Sequence, residues 1–294
     1  NGGGNGGAGG SVRLRVGALS GGGAISANAS LGTYAGGGGG RVAVEYAANT
    51  HTGARTAQGS GSGAHGTAGT VYLRHTGTGA AQLVLDNGSL TAIGTLDGAL
   101  LSGIDVRIVD GNFSFTGTAA PRSLTIQGGT LDVVGTLDMS VGGLSMTAGT
   151  LRNSGTVILP VFDASVLSGS AIFINYGRLD VLSDAITVAS GVTLSESGTL
   201  GASDSIGTLT VSGTLTHEQR NLAGTAPMFN GLSFTVTGNA TVASGGAIDV
   251  TGKGLRGALQ AGNNTGSGET YAPDLVTPVL WTGGNSGGSH GGIA

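Results

Sequence analysis

Apolar residues recur along this chain at every second position in short runs, and no twelve-residue window carries the three- and four-residue spacing of a helix free of glycine. Ser11-Val12-Arg13-Leu14-Arg15-Val16 alternates polar with apolar, as do Arg41-Val42-Ala43-Val44-Glu45-Tyr46 and Val71-Tyr72-Leu73-Arg74. Period two sends successive side chains to opposite faces, so these runs predict half-buried β-strands. Between them lie Gly36 to Gly40 and the stretch Gln58 to Gly69, expected as ordered loops in which glycine lets backbones approach closely.

From Gln82 to Val250 the pattern changes to short strands punctuated by Gly-Thr-Leu or a near variant. Gly129 and Gly149 are twenty residues apart, and so are Gly135 and Gly155, so two neighbouring marks recur together. Insertions around Leu159 to Ile174 and His217 to Asn230 blur the period. A repeat near ~20 residues with a turn-strand-turn-strand unit predicts successive circuits stacked on one another, with Leu131, Leu137, Leu151 and Val157 pointing inward in rows. A sandwich would need hairpin turns, and only Asn87-Gly88, Asp97-Gly98, Asp110-Gly111 and Asn230-Gly231 have that chemistry. The expected fold is therefore all-β, a right-handed parallel β-helix (β-solenoid) with Gly-rich loops. Residues 1–80 form a Gly-rich β segment, 81–250 the solenoid core, and 251–294 a Gly-rich C-terminal segment at a subunit junction. At about 20 to 25 residues per circuit, roughly 12 to 15 circuits give a rod on the order of 60 to 70 Å long.

Composition narrows the classes. Glycine supplies 62 of 294 residues, yet no Gly-X-Y period accompanies it and proline is only 5, which excludes collagen. Few aromatics leave a narrow core of aliphatic side chains. With a net charge of -4 and Lys253 as the one lysine, no basic stripe exists to meet nucleic acid. Absent cysteine removes disulfides and thiolate chemistry, so packing and hydrogen-bond ladders must carry stability. No apolar run reaches the ~18 residues of a membrane helix. The chain opens at Asn1 without methionine or a signal segment, which predicts a removed leader or a piece of something longer.

The block from Leu124-Thr125-Ile126 through Leu151, including Gly128-Gly129-Thr130-Leu131-Asp132-Val133-Val134-Gly135-Thr136-Leu137, resembles the β-strand repeats of bacterial autotransporter passengers and filamentous-haemagglutinin-like adhesins. Gly10-Ser11-Val12-Arg13-Leu14, Gly21 to Asn28, Gly36 to Val44 and Gly246 to Gly254 look like modules of Gly-rich, tandemly repeated surface fibre proteins. The resemblance implies an extracellular or cell-surface fibre or adhesin, with surface glycans or other cells as further partners. It brings no catalytic residues.

Candidate chemistry is sparse. Asp105 and Asp110, five apart in one strand, fall on opposite faces, while Asp132 and Asp138 are separated by the corner at Gly135. His51, His65 and His75 match no zinc spacing and are expected as exposed loop residues. Gly59-Ser60-Gly61-Ser62-Gly63 has the letters of a nucleophile elbow but neither the strand before it nor the helix after it. Phe113, Phe115, Phe162, Phe173 and Phe234 read as core, and Trp281 as an end cap, a subunit contact or simple packing. No catalytic, cofactor-binding or metal-ligating residue is assigned, and no cofactor is expected. The expected function is a structural repeat module that associates with itself head to tail. The alternatives are a polysaccharide-active β-helix enzyme and a donor-strand, pilin-like subunit in which Ser11 to Val16 completes a neighbour's sheet. Both termini are Gly-rich, Asn1 to Gly7 and Ser289 to Gly292, and no capping helix is visible, so open-ended assembly is expected.

Overall fold

The computed structural model describes residues 4–61, 63–201, 203–219 and 231–254, and the backbone of 269–271 and 278–280. In its first part β1 (Ser11–Leu19), β2 (Ile25–Ser26), β3 (Arg41–Asn49), β4 (Arg55–Thr56) and β5 (Thr70–His75) repeat one layout at a step of about thirty residues. Ser11 lies opposite Arg41 and Ile25 opposite Arg55, while Arg41 lies opposite Thr70, all in parallel register. The alternating residues Val42, Val44, Val71 and Leu73 are buried with Ala27 and Ala57 in a small core. The Gly36–Gly40 stretch is part of this body. Gly39 donates its N–H to Thr67 O at 2.8 Å and Gly40 to Ala27 O at 2.8 Å. A Cβ on Gly39 would stand 1.9 Å from Ala57 O, so only glycine lets these backbones close.

After β5 the chain turns back through a tight hairpin into β6 (Ala81–Asp86), which pairs antiparallel with β5. Gly79 takes φ +72°, and the His75 imidazole Nδ1 accepts the N–H groups of Gly77 and Thr78, each at 3.1 Å. Val71 stands opposite Val84 and Tyr72 opposite Leu83. Val71 and Val84 therefore belong to the small core, whereas Leu83 and Leu85 lie on the other face and begin a much larger one. One seven-stranded sheet thus carries a separate core on each face.

The larger part runs through β7 (Ile93–Asp97), a 3₁₀ turn at Gly98–Leu101, β8 (Asp105–Asp110), β9 (Asn112–Thr116), β10 (Thr118–Ala119), β11 (Ser123–Ile126), β12 (Thr130–Val133), β13 (Thr136–Asp138), β14 (Gly143–Met146), β15 (Thr150–Asn153) and β16 (Thr156–Leu159). It continues through β17 (Ile172–Asn175), β18 (Arg178–Val181), β19 (Ala185–Val188), β20 (Thr193–Glu196), β21 (Thr199–Leu200), β22 (Ser205–Ile206), β23 (Thr208–Val211) and β24 (Thr214–Thr216). Most strands pair in parallel with their equivalent in the next circuit, β14 and β21 being the ends of their sheets among the described residues. Thr130 faces Thr150 and Thr136 faces Thr156, the twenty-residue step read from the sequence. Inward positions stack as Phe113, Leu131, Leu151, Phe173, Leu194 and Leu215 along one sheet, and as Ala119, Leu137, Val157, Leu179 and Leu200 along another. All are buried, and Phe162 meets Phe173 edge to face at 5.5 Å. Phe234 is half-buried against the same core.

The corners stack as well. Thr156 donates its N–H to Gly135 O at 2.9 Å, and a Cβ on Gly155 would sit 2.0 Å from that oxygen. Gly135, Gly177 and Gly198 meet the carbonyl one circuit below in the same way. Beyond the His217 to Asn230 insertion, β25 (Thr235–Val236), β26 (Ala240–Val242) and β27 (Ala247–Ile248) pair onto β22, β23 and β24. β28 (Glu269–Tyr271) and β29 (Pro278–Leu280) form an antiparallel pair.

The protein is all-β with mostly parallel sheets, an arrangement compatible with a β-solenoid. The seven-stranded and eight-stranded sheets overlap at four levels, so eleven strand levels stack among the described residues. At ~4.8 Å per level these described levels span about 50 Å; the sequence estimate covered the whole chain and took no account of first circuits of thirty residues each. None of Asn87-Gly88, Asp97-Gly98 or Asp110-Gly111 joins antiparallel strands; Asn230 lies outside the described residues. Trp281 and the Ser289 to Gly292 end also lie outside them.

Stacked corners make a paired prediction. Gly155→Ala, whose new methyl meets backbone, lowers unfolding free energy by about 2 kcal/mol or more. Gly143→Ala, where nothing lies within 4 Å of the added Cβ, changes it by less than about 0.5 kcal/mol. Urea unfolding of both variants checks the difference; equal effects contradict the corner packing.

Candidate functional site

The residues singled out by sequence do not converge. His65, expected to be exposed, is half-buried, with its Nδ1 2.9 Å from Thr91 Oγ1 and accepting the Thr91 N–H at 3.1 Å. His75 caps the hairpin and packs edge-on against Tyr46, with ring centroids 5.6 Å apart. His51, expected to be exposed, is buried because the thirty-residue circuits fold their connections into the body. Asp105 is held by Arg122 and by Ser123 Oγ at 2.7 Å, and the Arg122 guanidinium keeps its carboxyl below the usual range. Asp132 pairs with Arg152 at 3.2 Å, Asp110 accepts the Gly111 N–H, and Asp138 accepts the Ser140 N–H. The hydrogen bonds from Ser140 hold the Asp138 carboxyl low. Each carboxylate is engaged by its own neighbour. Ser60 is buried and donates to Ser30 O at 2.5 Å, while its Oγ accepts the Gly37 N–H at 3.1 Å; Ser62 lies outside the described residues.

A buried polar column was not anticipated. Asn153, Asn175 and Glu196 occupy successive register positions at the corner between two sheets and are almost wholly enclosed. Asn153 Nδ2 donates to Asn175 Oδ1 at 2.7 Å, and Asn175 Nδ2 donates to Glu196 Oε1 and Oε2 at 2.9 and 3.1 Å. Asn153 Oδ1 and Glu196 Oε1 also accept the N–H groups of Gly155 and Gly198. The column satisfies corner amides that an apolar side chain would strand. Its sequence signal is a polar residue two places before a corner glycine: Asn153-Ser154-Gly155, Asn175-Tyr176-Gly177, Glu196-Ser197-Gly198.

Burial pushes the Glu196 carboxyl up to about 7, against the lowering hydrogen bonds from Asn175 and Gly198, with Asp204 adding to the rise. His217, next in the chain after the last paired position, Thr216 opposite Ser195, is buried and donates its Nδ1–H to Glu218 O at 2.7 Å. Glu218 in turn accepts from Ser195 Oγ at 2.8 Å.

Among the described residues the nine-residue strand β1 is an edge strand, paired only with β3. Arg13 and Arg15 flank it, both close to Glu45. Residues 1–80 hold five arginines against this single carboxylate. At the other end the described body finishes in the short, exposed strands β26 and β27. Among the described residues no helix is long and apolar enough to cross a membrane. No family model, curated protein or solved structure matches the chain.

Because the Glu196 pKa is raised in the folded state, its contribution to stability is complete below about pH 4.5 and is lost as pH rises through about 7. Glu196→Gln keeps an acceptor for Asn175 without the charge. The melting temperature of the parent chain therefore falls relative to Glu196→Gln between pH 5 and pH 8, and the gap is widest at the alkaline end. Parallel melting curves across that range contradict a buried, proton-holding Glu196.

Proposed function

We propose that the chain is a right-handed parallel β-solenoid serving as a structural module of an extracellular or cell-surface filament or adhesin, its subunits associating head to tail. The observation that carries this reading is the register: equivalent strands of successive circuits pair in parallel at steps of 18 to 24 residues from β6 to β24. Such stacking spans distance at little cost in design, since each circuit needs only its neighbours. Right-handed winding is supported by the general preference of parallel crossover connections. Surface location rests on the resemblance of the Gly-Thr-Leu block to passenger and adhesin repeats.

Interior volume is filled by stacked aliphatic rows and by the asparagine column, and the strand carboxylates are tied to arginines, serines and backbone. This supports a load of packing over catalysis. Ser11 to Val16, the segment weighed for donor-strand exchange, is paired with β3 of its own chain.

Negative-stain microscopy with small-angle scattering tests the reading. Rods about 50 Å or longer are expected, extending into filaments as concentration rises, with little change between about 0.05 and 0.5 M salt because few charges are available. A compact particle at every concentration, or release of reducing ends from common polysaccharides, contradicts it.

A further inference from the structure

The first circuits are built on a translational repeat whose first member has one side open. Arg41 donates its N–H to Gly10 O at 2.9 Å, and thirty residues on, Thr70 donates to Gly40 O at 3.1 Å. Gly9 donates to Gly38 O and Gly39 to Thr67 O, both at 2.8 Å. By the same translation, the Ser11 N–H and the Ala8 carbonyl are directed away from β3, and strand alternation sends the Arg13 and Arg15 amides to that side too. Among the described residues β1 is the end of its sheet.

The glycines supply a second, independent observation. A Cβ on Gly40 would lie 1.9 Å from Gly10 O, and one on Gly69 would lie 1.8 Å from Gly40 O. Gly37 and Gly66 meet the carbonyls of Gly7 and Gly37 at 2.2 and 1.9 Å, and Gly53 meets Gly23 O at 1.8 Å. In each column the glycine is required because the preceding circuit's carbonyl closes on it. Gly10 and Gly23, the first members of their columns, have nothing within 4 Å of an added Cβ, and Gly7 meets only the Ser30 hydroxyl at 3.3 Å. These three are glycine where nothing among the described residues of this chain demands it.

We propose that this edge is a docking surface for a further glycine-rich circuit of the same thirty-residue pattern, whose carbonyls close on Gly7, Gly10 and Gly23. The partner is selected by backbone, since a circuit carrying side chains at the matching glycines could not approach. The inference deepens the assembly reading and rests on it for the use of the edge. The docking itself is tested apart from filament formation.

The test lengthens the full chain by a second copy of residues 4–33 placed directly before Gly4, which presents the circuit at high effective concentration. Controls carry a shuffled sequence of the same composition, or the alternating strand without its glycine pattern. Hydrogen exchange of the Ser11, Arg13 and Arg15 amides is expected to slow by at least about tenfold with the patterned extension and not with either control. Gly10→Ala with Gly23→Ala should leave the melting temperature of the unlengthened chain unchanged and abolish the slowing in the lengthened one. Equal exchange with patterned and control extensions, or slowing that survives both alanines, overturns the proposal. Because the readout is taken on the lengthened chain alone, slowed exchange in a chain that never forms filaments would sustain the docking surface and count against the filament reading only.

Discussion

Each corner of this protein lies one strand spacing, about 4.8 Å, from the corner of the next circuit, and at that distance a carbonyl oxygen occupies the place of a Cβ. The oxygen of Gly135 accepts the Thr156 N–H and fills the space beside Gly155. Everything else follows from that approach. Because the corners can stack, the strands between them stay in register. Because the strands stay in register, leucine falls above leucine, and a core only a few side chains wide is continuous along the body. The glycine content is what permits the close packing.

The same constraint governs the polar interior. A corner that turns inward strands backbone amides, and the column of Asn153, Asn175 and Glu196 answers them while each side chain also bonds the one above. Asparagine fits this repeat because its amide both donates and accepts, so a stack of them is self-complementary. Glutamate cannot continue the stack in its charged form, and burial answers by raising its proton affinity.

Much of the strand pattern was legible. Val42, Val44, Leu131 and Leu151 are buried because period two and the Gly-Thr-Leu marks place them inward, and the twenty-residue step is the observed register. The reversal at β5 was not read, although two alternating runs, Val71 to Arg74 and Gln82 to Leu85, flank Thr76-Gly77-Thr78-Gly79. Its turn is built from Thr-Gly pairs with a positive-φ Gly79 and not from the Asn-Gly or Asp-Gly pairs that mark two-residue hairpins. The thirty-residue step of the first circuits was missed for another reason: Ser11 to Val16 and Arg41 to Tyr46 share a pattern but few identical residues, so the equivalence lies in glycine positions and not in the strands. His51 was misplaced because a connection in a short repeat is usually solvated, whereas here the circuits fold it inward.

Parallel stacking in fixed register is the claim on which the account stands, and spin-label distances measure it directly. Asn112, Thr130, Thr150, Ile172, Thr193 and Thr214 are successive members of one row, and the chain has no native cysteine to compete for labels. With one label fixed at Asn112 and the second moved along the row, the separation should climb by about 4.8 Å per step to roughly 24 Å at Thr214. A separation that fails to rise steadily, or that returns to short values at Thr193 or Thr214 as strands folded back in a sandwich would require, contradicts it.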